Sequence, residues 1–127
     1  MWKNSLFIIL LFTGCMYLGP KQNSMSDLSQ NEWAQAIAEQ PQAVVLDVRT
    51  EEEFESGYIP NAKNIDLRMG SGFIDEINSL DKSKSYYVYC RSGARSAQAV
   101  QLMRDLGFNK TYNLLGGILE WEGEVIE

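Results

Sequence analysis

Three short apolar runs, each followed at once by polar or glycine residues and then by a helical pattern, constrain this chain more than any other feature. Ala43-Val44-Val45-Leu46 enters Asp47-Val48-Arg49, Tyr86-Tyr87-Val88-Tyr89 enters Cys90, and Thr111-Tyr112-Asn113-Leu114 enters Gly116-Gly117. Runs this short and this rich in β-branched and aromatic residues suit strands covered on both faces. Strands alternating with helices then favour a parallel α/β sheet with helices on either side. In such sheets the sites gather beyond the carboxyl ends of the strands, where the polar residues of all three runs fall.

The helical stretches carry their own start and stop signals. Ser29 with Glu32 forms a candidate capping box, Leu28 and Trp33 stand at the two halves of a hydrophobic staple, and Pro41 follows the expected end. Trp33, Ala36, Ile37 and Ala38 are its expected apolar side. Thr50 and Glu53 form a second box, with Glu51 and Glu52 in the first turn and Gly57 closing a short helix. Residues 62–65 offer another short strand, and residues 70–80 a loop with a short helix. After Cys90, Ala97, Val100, Met103 and Leu106 recur at helical spacing before Gly107, with Ser96 or a neighbour as the cap. A last helical segment contains Ile118, Leu119 and Trp121.

Length and charge narrow the function. The 127 residues, 45% hydrophobic, supply one ordinary core and too little for two domains. A net charge of -6 gives no reason to expect a nucleic-acid partner or a polybasic attachment to lipid. There is no histidine and there are two cysteines, so Cys/His zinc clusters, the Ser-His-Asp arrangement and the Cys-His pair are all excluded. A nucleophilic cysteine in this chain must be activated without imidazole. No metal and no cofactor is called for.

The first residues read as an export signal: Lys3 precedes the apolar run of residues 6–12, which is shorter than the roughly 20 residues of a stable membrane-spanning helix. Leu11-Phe12-Thr13-Gly14-Cys15 resembles the cleavage box of bacterial lipoproteins, with Phe12 where a smaller aliphatic residue is usual. The resemblance implies a signal peptide at 1–14, a lipidated Cys15 with a polar tether over 15–27, and a domain at 28–127. The protein is then exported and lipid-anchored to a bacterial membrane, facing the periplasm or the exterior. Simple secretion, or a buried N-terminal element of a cytosolic protein, are the alternatives. With Cys15 lipidated, no intramolecular disulfide remains, and the fold rests on its core.

The chemistry concentrates in Cys90-Arg91-Ser92-Gly93-Ala94-Arg95-Ser96. A thiolate at the mouth of a loop and ahead of a helix receives backbone N–H groups, Arg91 and Arg95 add positive charge, and Gly93 lets the amides converge; each lowers the thiol pKa. The alternative is a buried apolar thiol at a strand end with Gly93 a simple turn residue. Two arginines and two serines nearby are costly companions in a dry core and weigh against it.

That loop resembles the active-site loop of the rhodanese, or thiosulfate sulfurtransferase, family. Two further segments resemble the same family in order: Asp47-Val48-Arg49 through Glu53-Phe54 to Gly57-Tyr58-Ile59-Pro60-Asn61-Ala62, and Leu115-Gly116-Gly117 before Trp121. The resemblance implies a three-layer α/β fold with a central, mostly parallel sheet flanked by helices. It implies Cys90 as a persulfide-bearing nucleophile, backbone amides of Arg91, Ser92, Gly93, Ala94, Arg95 and Ser96 cradling the outer sulfur, and Arg91 and Arg95 orienting an anionic donor such as thiosulfate. The acceptor is a thiol, cyanide or a protein. Asp47 and Arg49 take a supporting role as a hydrogen-bonded ion pair, and Gly116 and Gly117 permit close packing. Tyr58 and Asn61 stand where many members have His and Gly, which leaves access to the pocket open. A sulfur-carrier or protein-binding module that does not turn over, and a phosphatase-like or arsenate-reductase-like enzyme, are the competing functions.

Overall fold

The computed structural model describes residues 26–127. Lys3, the apolar run and Cys15, on which export and lipidation rest, lie outside the described residues. The elements run β1 (Asp27–Leu28), α1 (Gln30–Glu39), β2 (Val44–Asp47), α2 (Glu51–Glu55), β3 (Lys63–Asn64), a 3₁₀ turn (Leu67–Met69), α3 (Ser71–Asn78), β4 (Tyr86–Tyr89), α4 (Ala94–Asp105), β5 (Thr111–Leu114) and α5 (Gly117–Glu120). The sheet order is β1-β5-β4-β2-β3, and every pairing between these strands is parallel. Among the described residues, one isolated antiparallel bridge, Tyr58 to Ile126, fastens the C-terminal segment beside α2. No helix of the described residues is long and apolar enough to cross a membrane.

The alternation of side chains along a strand divides the core into two clusters, one on each face of the sheet. Leu46, Val48, Tyr86, Val88 and Cys90 project to the side covered by Phe73 and Ile77 of α3 and by Ala99, Val100 and Met103 of α4. Val45, Tyr87, Tyr89 and Leu114 project to the other side, where Trp33 of α1 is fully buried. Trp33 meets Tyr87, Tyr89 and Trp121 edge-on at 6.0, 6.1 and 5.5 Å between ring centroids, the arrangement that the ring quadrupole favours. The result is three layers: helix, parallel sheet, helix.

Both capping boxes form, at Ser29 with Glu32 and at Thr50 with Glu53. Trp121, expected within the last helix, lies just past α5 as its C-cap, and three details of the other elements differ from expectation, each for a local reason. Ala38 is exposed, because it lies more than a third of a helical turn away from Trp33. Ala97 is exposed too, and the buried stripe of α4 is Ser96, Ala99, Val100 and Met103. Val100 and Met103 belong to the expected stripe, and the polar Ser96 joins the inner face because it serves Cys90. Finally, Asp27, assigned to the tether, pairs with Asn113 in the sheet, and Leu28 pairs with Leu114.

Candidate active site

Cys90 follows β4 directly and continues its parity, so its side chain points to the α4 side and is fully buried. The next residues must reverse quickly into α4. Gly93 does this as the N-cap at φ 105°, a backbone conformation that a side chain would strain. Space is not the limit there, since a Cβ would meet Gly116 N and Leu114 O at an ordinary 3.5 Å. The helix is therefore capped by Gly93, and Ser96 sits at its third position.

The sulfur lies at the positive end of a 12-residue helix whose first amides have no partner within the helix. Gly93 N–H donates to Cys90 Sγ at 3.1 Å, and the Ser96 hydroxyl donates to Sγ at 3.3 Å or to Gly93 O at 3.2 Å. Burial by itself pushes the Cys90 thiol up. The hydroxyl and amide of Ser96 and the amides of Gly93 and Ser92 outweigh it, and the thiol is held below its ordinary value. Hydrogen bonding to the charged form is the leading influence that favours the thiolate.

The arginines behave differently from one another. Arg91 is exposed. Arg95, expected to face an anion, instead forms a bidentate pair with Glu53, Nη1 to Oε1 at 2.7 Å and Nη2 to Oε2 at 2.9 Å. That guanidinium draws the Glu53 carboxyl down to about 2, and Glu53 in turn raises Arg95. The capping box explains Glu53 locally, and a separation of 42 residues gives no local signal of its second partner.

Asp47 and Arg49 form a separate buried unit at the carboxyl end of β2. Arg49 Nη2 lies 2.7 Å from Asp47 Oδ2, Nε reaches both oxygens at 3.1 Å, and Nη2 also donates to Gly57 O at 2.6 Å. Loss of one partner from such a pair costs about 3–5 kcal/mol, because the other charge stays buried and alone. The guanidinium carbon stands 5.6 Å from the Tyr89 ring centre, and the Tyr89 hydroxyl accepts from Ile59 N–H at 3.0 Å. This unit therefore braces the strand residue just before Cys90.

From below, the N-terminus of α5 grips the loop: Ile118 N–H donates to Cys90 O at 3.0 Å and Leu119 N–H to Arg91 O at 3.1 Å. Gly117, at φ 60°, makes that approach possible, since a Cβ there would overlap the Arg91 carbonyl oxygen and stand 2.7 Å from Cys90 O. Asn113, which sequence pattern marked only as a strand residue, donates through Nδ2 to Asp27 Oδ1 at 3.0 Å and to Gly93 O at 3.4 Å. Away from the loop, Tyr58 stacks on Phe54 at 4.3 Å between centroids. Asn61 is the non-glycine residue with positive φ, 67°, among the described residues, a conformation that Asn tolerates.

The sequence pattern of the rhodanese-like domain family matches residues 30–124. The chain belongs to the rhodanese-like family. Among its relatives, YqhL of Bacillus subtilis is 34% identical over 119 residues, spanning 94% of this chain and 87% of that one. A protein named sulfurtransferase from Allochromatium vinosum is 31% identical over 97 residues, 76% of this chain and 88% of its own length. The crystal structure of a rhodanese-like domain protein from Staphylococcus aureus superimposes with a TM-score of 0.68 at 35% identity, covering 79% of this chain and 94% of that one. The rhodanese-like fold thus accounts for the parallel sheet, its flanking helices and the strand-loop-helix unit that carries Cys90.

Proposed function

We propose that the protein is a sulfurtransferase that moves sulfane sulfur from thiosulfate or a related donor to a thiophilic acceptor through a persulfide on Cys90. The observation that carries this reading is the sulfur of Cys90 at the N-terminus of α4, with Gly93 N–H at 3.1 Å and Ser96 Oγ at 3.3 Å. In the first step the Cys90 thiolate attacks the outer sulfur of thiosulfate. The sulfur–sulfur bond of the donor breaks, its electron pair leaves on sulfite, and Cys90 keeps the outer sulfur as a persulfide anion. In the second step a thiol, cyanide or a protein nucleophile attacks that sulfur and the Cys90 thiolate departs. No imidazole is needed, because the attacking group is already held toward its thiolate form. The same amides and hydroxyl stabilise negative charge on either sulfur state.

Phosphate chemistry is a weaker fit. Four residues separate Cys90 from Arg95, and the Arg95 guanidinium is already paired with Glu53 and so is not turned to a tetrahedral anion. The test is direct. Incubation with thiosulfate, mercaptopyruvate, polysulfide or glutathione persulfide, followed by removal of excess donor, should leave Cys90 heavier by one sulfur atom, and cyanide or a thiol should strip it. Cys90→Ser should fold and acquire nothing. Folded wild-type protein that takes no removable sulfur from any of the four donors refutes the assignment; loading without turnover indicates a sulfur carrier, and phosphate release from an aryl phosphate indicates the phosphatase-like reaction.

The proposal includes an exported, lipid-anchored protein, supported by Lys3, the apolar run of residues 6–12 and Thr13-Gly14-Cys15. Intact-mass measurement of membrane-extracted protein should show loss of residues 1–14 and acyl addition at Cys15.

A further inference from the structure

Arg95 is the second residue of α4, and Glu53 the third of α2, so their pair joins the reactive loop to the helix beyond β2. Both side chains are partly buried, at 20% and 26% exposure, where solvent screens the pair only in part. Glu53 does not owe its position to Arg95 alone: its Oε1 also accepts from Thr50 N–H at 3.4 Å and Thr50 Oγ1 at 3.2 Å, and its own amide donates to Thr50 Oγ1 at 3.3 Å. The capping box thus presents a fixed carboxylate to the guanidinium. The Cys90 sulfur and Asp66 act on the same guanidinium through space. Arg95 is therefore close enough to be felt at the reacting sulfur, yet its charge is already matched.

Within the loop itself, what remains for an incoming donor is the α4 terminus, equivalent to roughly half a charge, and Arg91, which is exposed and makes no ion pair among the described residues. A thiolate meeting thiosulfate brings three negative charges together at this loop; a thiolate meeting a singly charged donor brings two. We propose that Glu53 is a specificity-determining residue, which by matching the Arg95 charge biases the loop toward sulfane donors carrying one negative charge and away from dianions. The assignment rests on the sulfur-transfer reading above.

The pair of probes that isolates charge is thiosulfate and the methanethiosulfonate anion. In each, the Cys90 thiolate bonds to the terminal sulfur and the donor's sulfur–sulfur bond breaks. The electron pair leaves on sulfite in one case and on methanesulfinate in the other, so the donors differ by one charge and not in the bonds exchanged. Glu53→Gln retains a residue that the capping box accepts and removes the charge. In the full-length protein it should raise kcat/KM for thiosulfate relative to methanethiosulfonate by roughly fivefold at low ionic strength, with the gap shrinking in salt. It should also move the midpoint of iodoacetamide labelling, read on the Cys90 peptide, to lower pH, because an unmatched Arg95 favours the thiolate.

A merely structural role predicts the reverse: a slackened loop, a labelling midpoint moved up and both donors impaired alike, which would overturn the assignment. The double variant Glu53→Gln/Arg95→Gln should lose the gain for thiosulfate; a ratio that stays raised without Arg95 also overturns it. Folded wild-type protein that takes sulfur from neither donor counts against sulfur transfer itself. Loading by both with a ratio unchanged in Glu53→Gln counts against Glu53 alone.

Discussion

Replacing Gly117 by Ala puts a single methyl group where the backbone of the reactive loop already is. Two costs combine. At φ 60° an L-residue loses about 1–2 kcal/mol against an ordinary conformation. The new Cβ would also overlap the Arg91 carbonyl oxygen, lying 2.5 Å from the Arg91 carbonyl carbon and 2.7 Å from Cys90 O, and neither neighbour is a flexible side-chain tip. Forcing such a contact apart costs about 1–3 kcal/mol, toward the upper end when backbone must move. Together Gly117→Ala should destabilise the fold by about 3–5 kcal/mol. Gly107→Ala is the control: its φ is also positive, at 100°, but the nearest atom to its Cβ is Lys82 Cδ at 3.7 Å, so it should show only the conformational cost. In urea unfolding, with a slope of about 2 kcal/mol per molar, the midpoint should fall by roughly 2 M for Gly117→Ala and by under about 1 M for Gly107→Ala. Equal falls in the two variants would refute the steric part of the reasoning. The loop should suffer first, since the bonds that a displaced α5 breaks are Ile118 N–H to Cys90 O and Leu119 N–H to Arg91 O.

Two further outcomes follow from the titrating groups. Ser96→Ala removes a hydroxyl donor to the Cys90 sulfur, so the pH midpoint of iodoacetamide labelling on the Cys90 peptide should rise and labelling at pH 7 should slow several-fold; an unmoved midpoint would show that the amides alone set the thiol. Glu53, held down to about 2 in the folded protein, contributes stability that is full above the ordinary carboxylate value of about 4.3 and is lost as pH falls toward 2. The urea midpoints of wild type and Glu53→Gln should therefore converge between pH 5 and pH 2.5; a constant gap contradicts the ion pair.

The strands and caps were legible because each depends on neighbours in sequence. Thr50 and Glu53 stand three residues apart and form the box that this spacing predicts. The run of residues 86–89 alternates between the two core clusters as a covered strand must. Cys90 could be singled out because its loop is contiguous. Contacts that close over long separations were not legible. The pairing of Arg95 with Glu53 spans 42 residues and changes what the loop's charge does. Val100 and Met103 of α4 are buried as their spacing predicts, whereas Ser96, expected near the cap, lies on the buried face because a reacting sulfur beside it requires a polar partner. Asp27 carries no strand signal because a two-residue edge strand has no periodicity.

That edge strand decides where this chain can be cut. Asn113 N–H bonds to Ser26 O at 2.6 Å, and its carboxamide is shared between Asp27 Oδ1 and Gly93 O. A fragment begun at Leu28 would remove both partners ahead of it and leave the amide turning on Gly93 alone, the residue whose own N–H faces the Cys90 sulfur. Shortened versions of the protein compared for reactivity must therefore keep Ser26 and Asp27, or differences in the thiol will report the site of truncation instead of the chemistry of the loop.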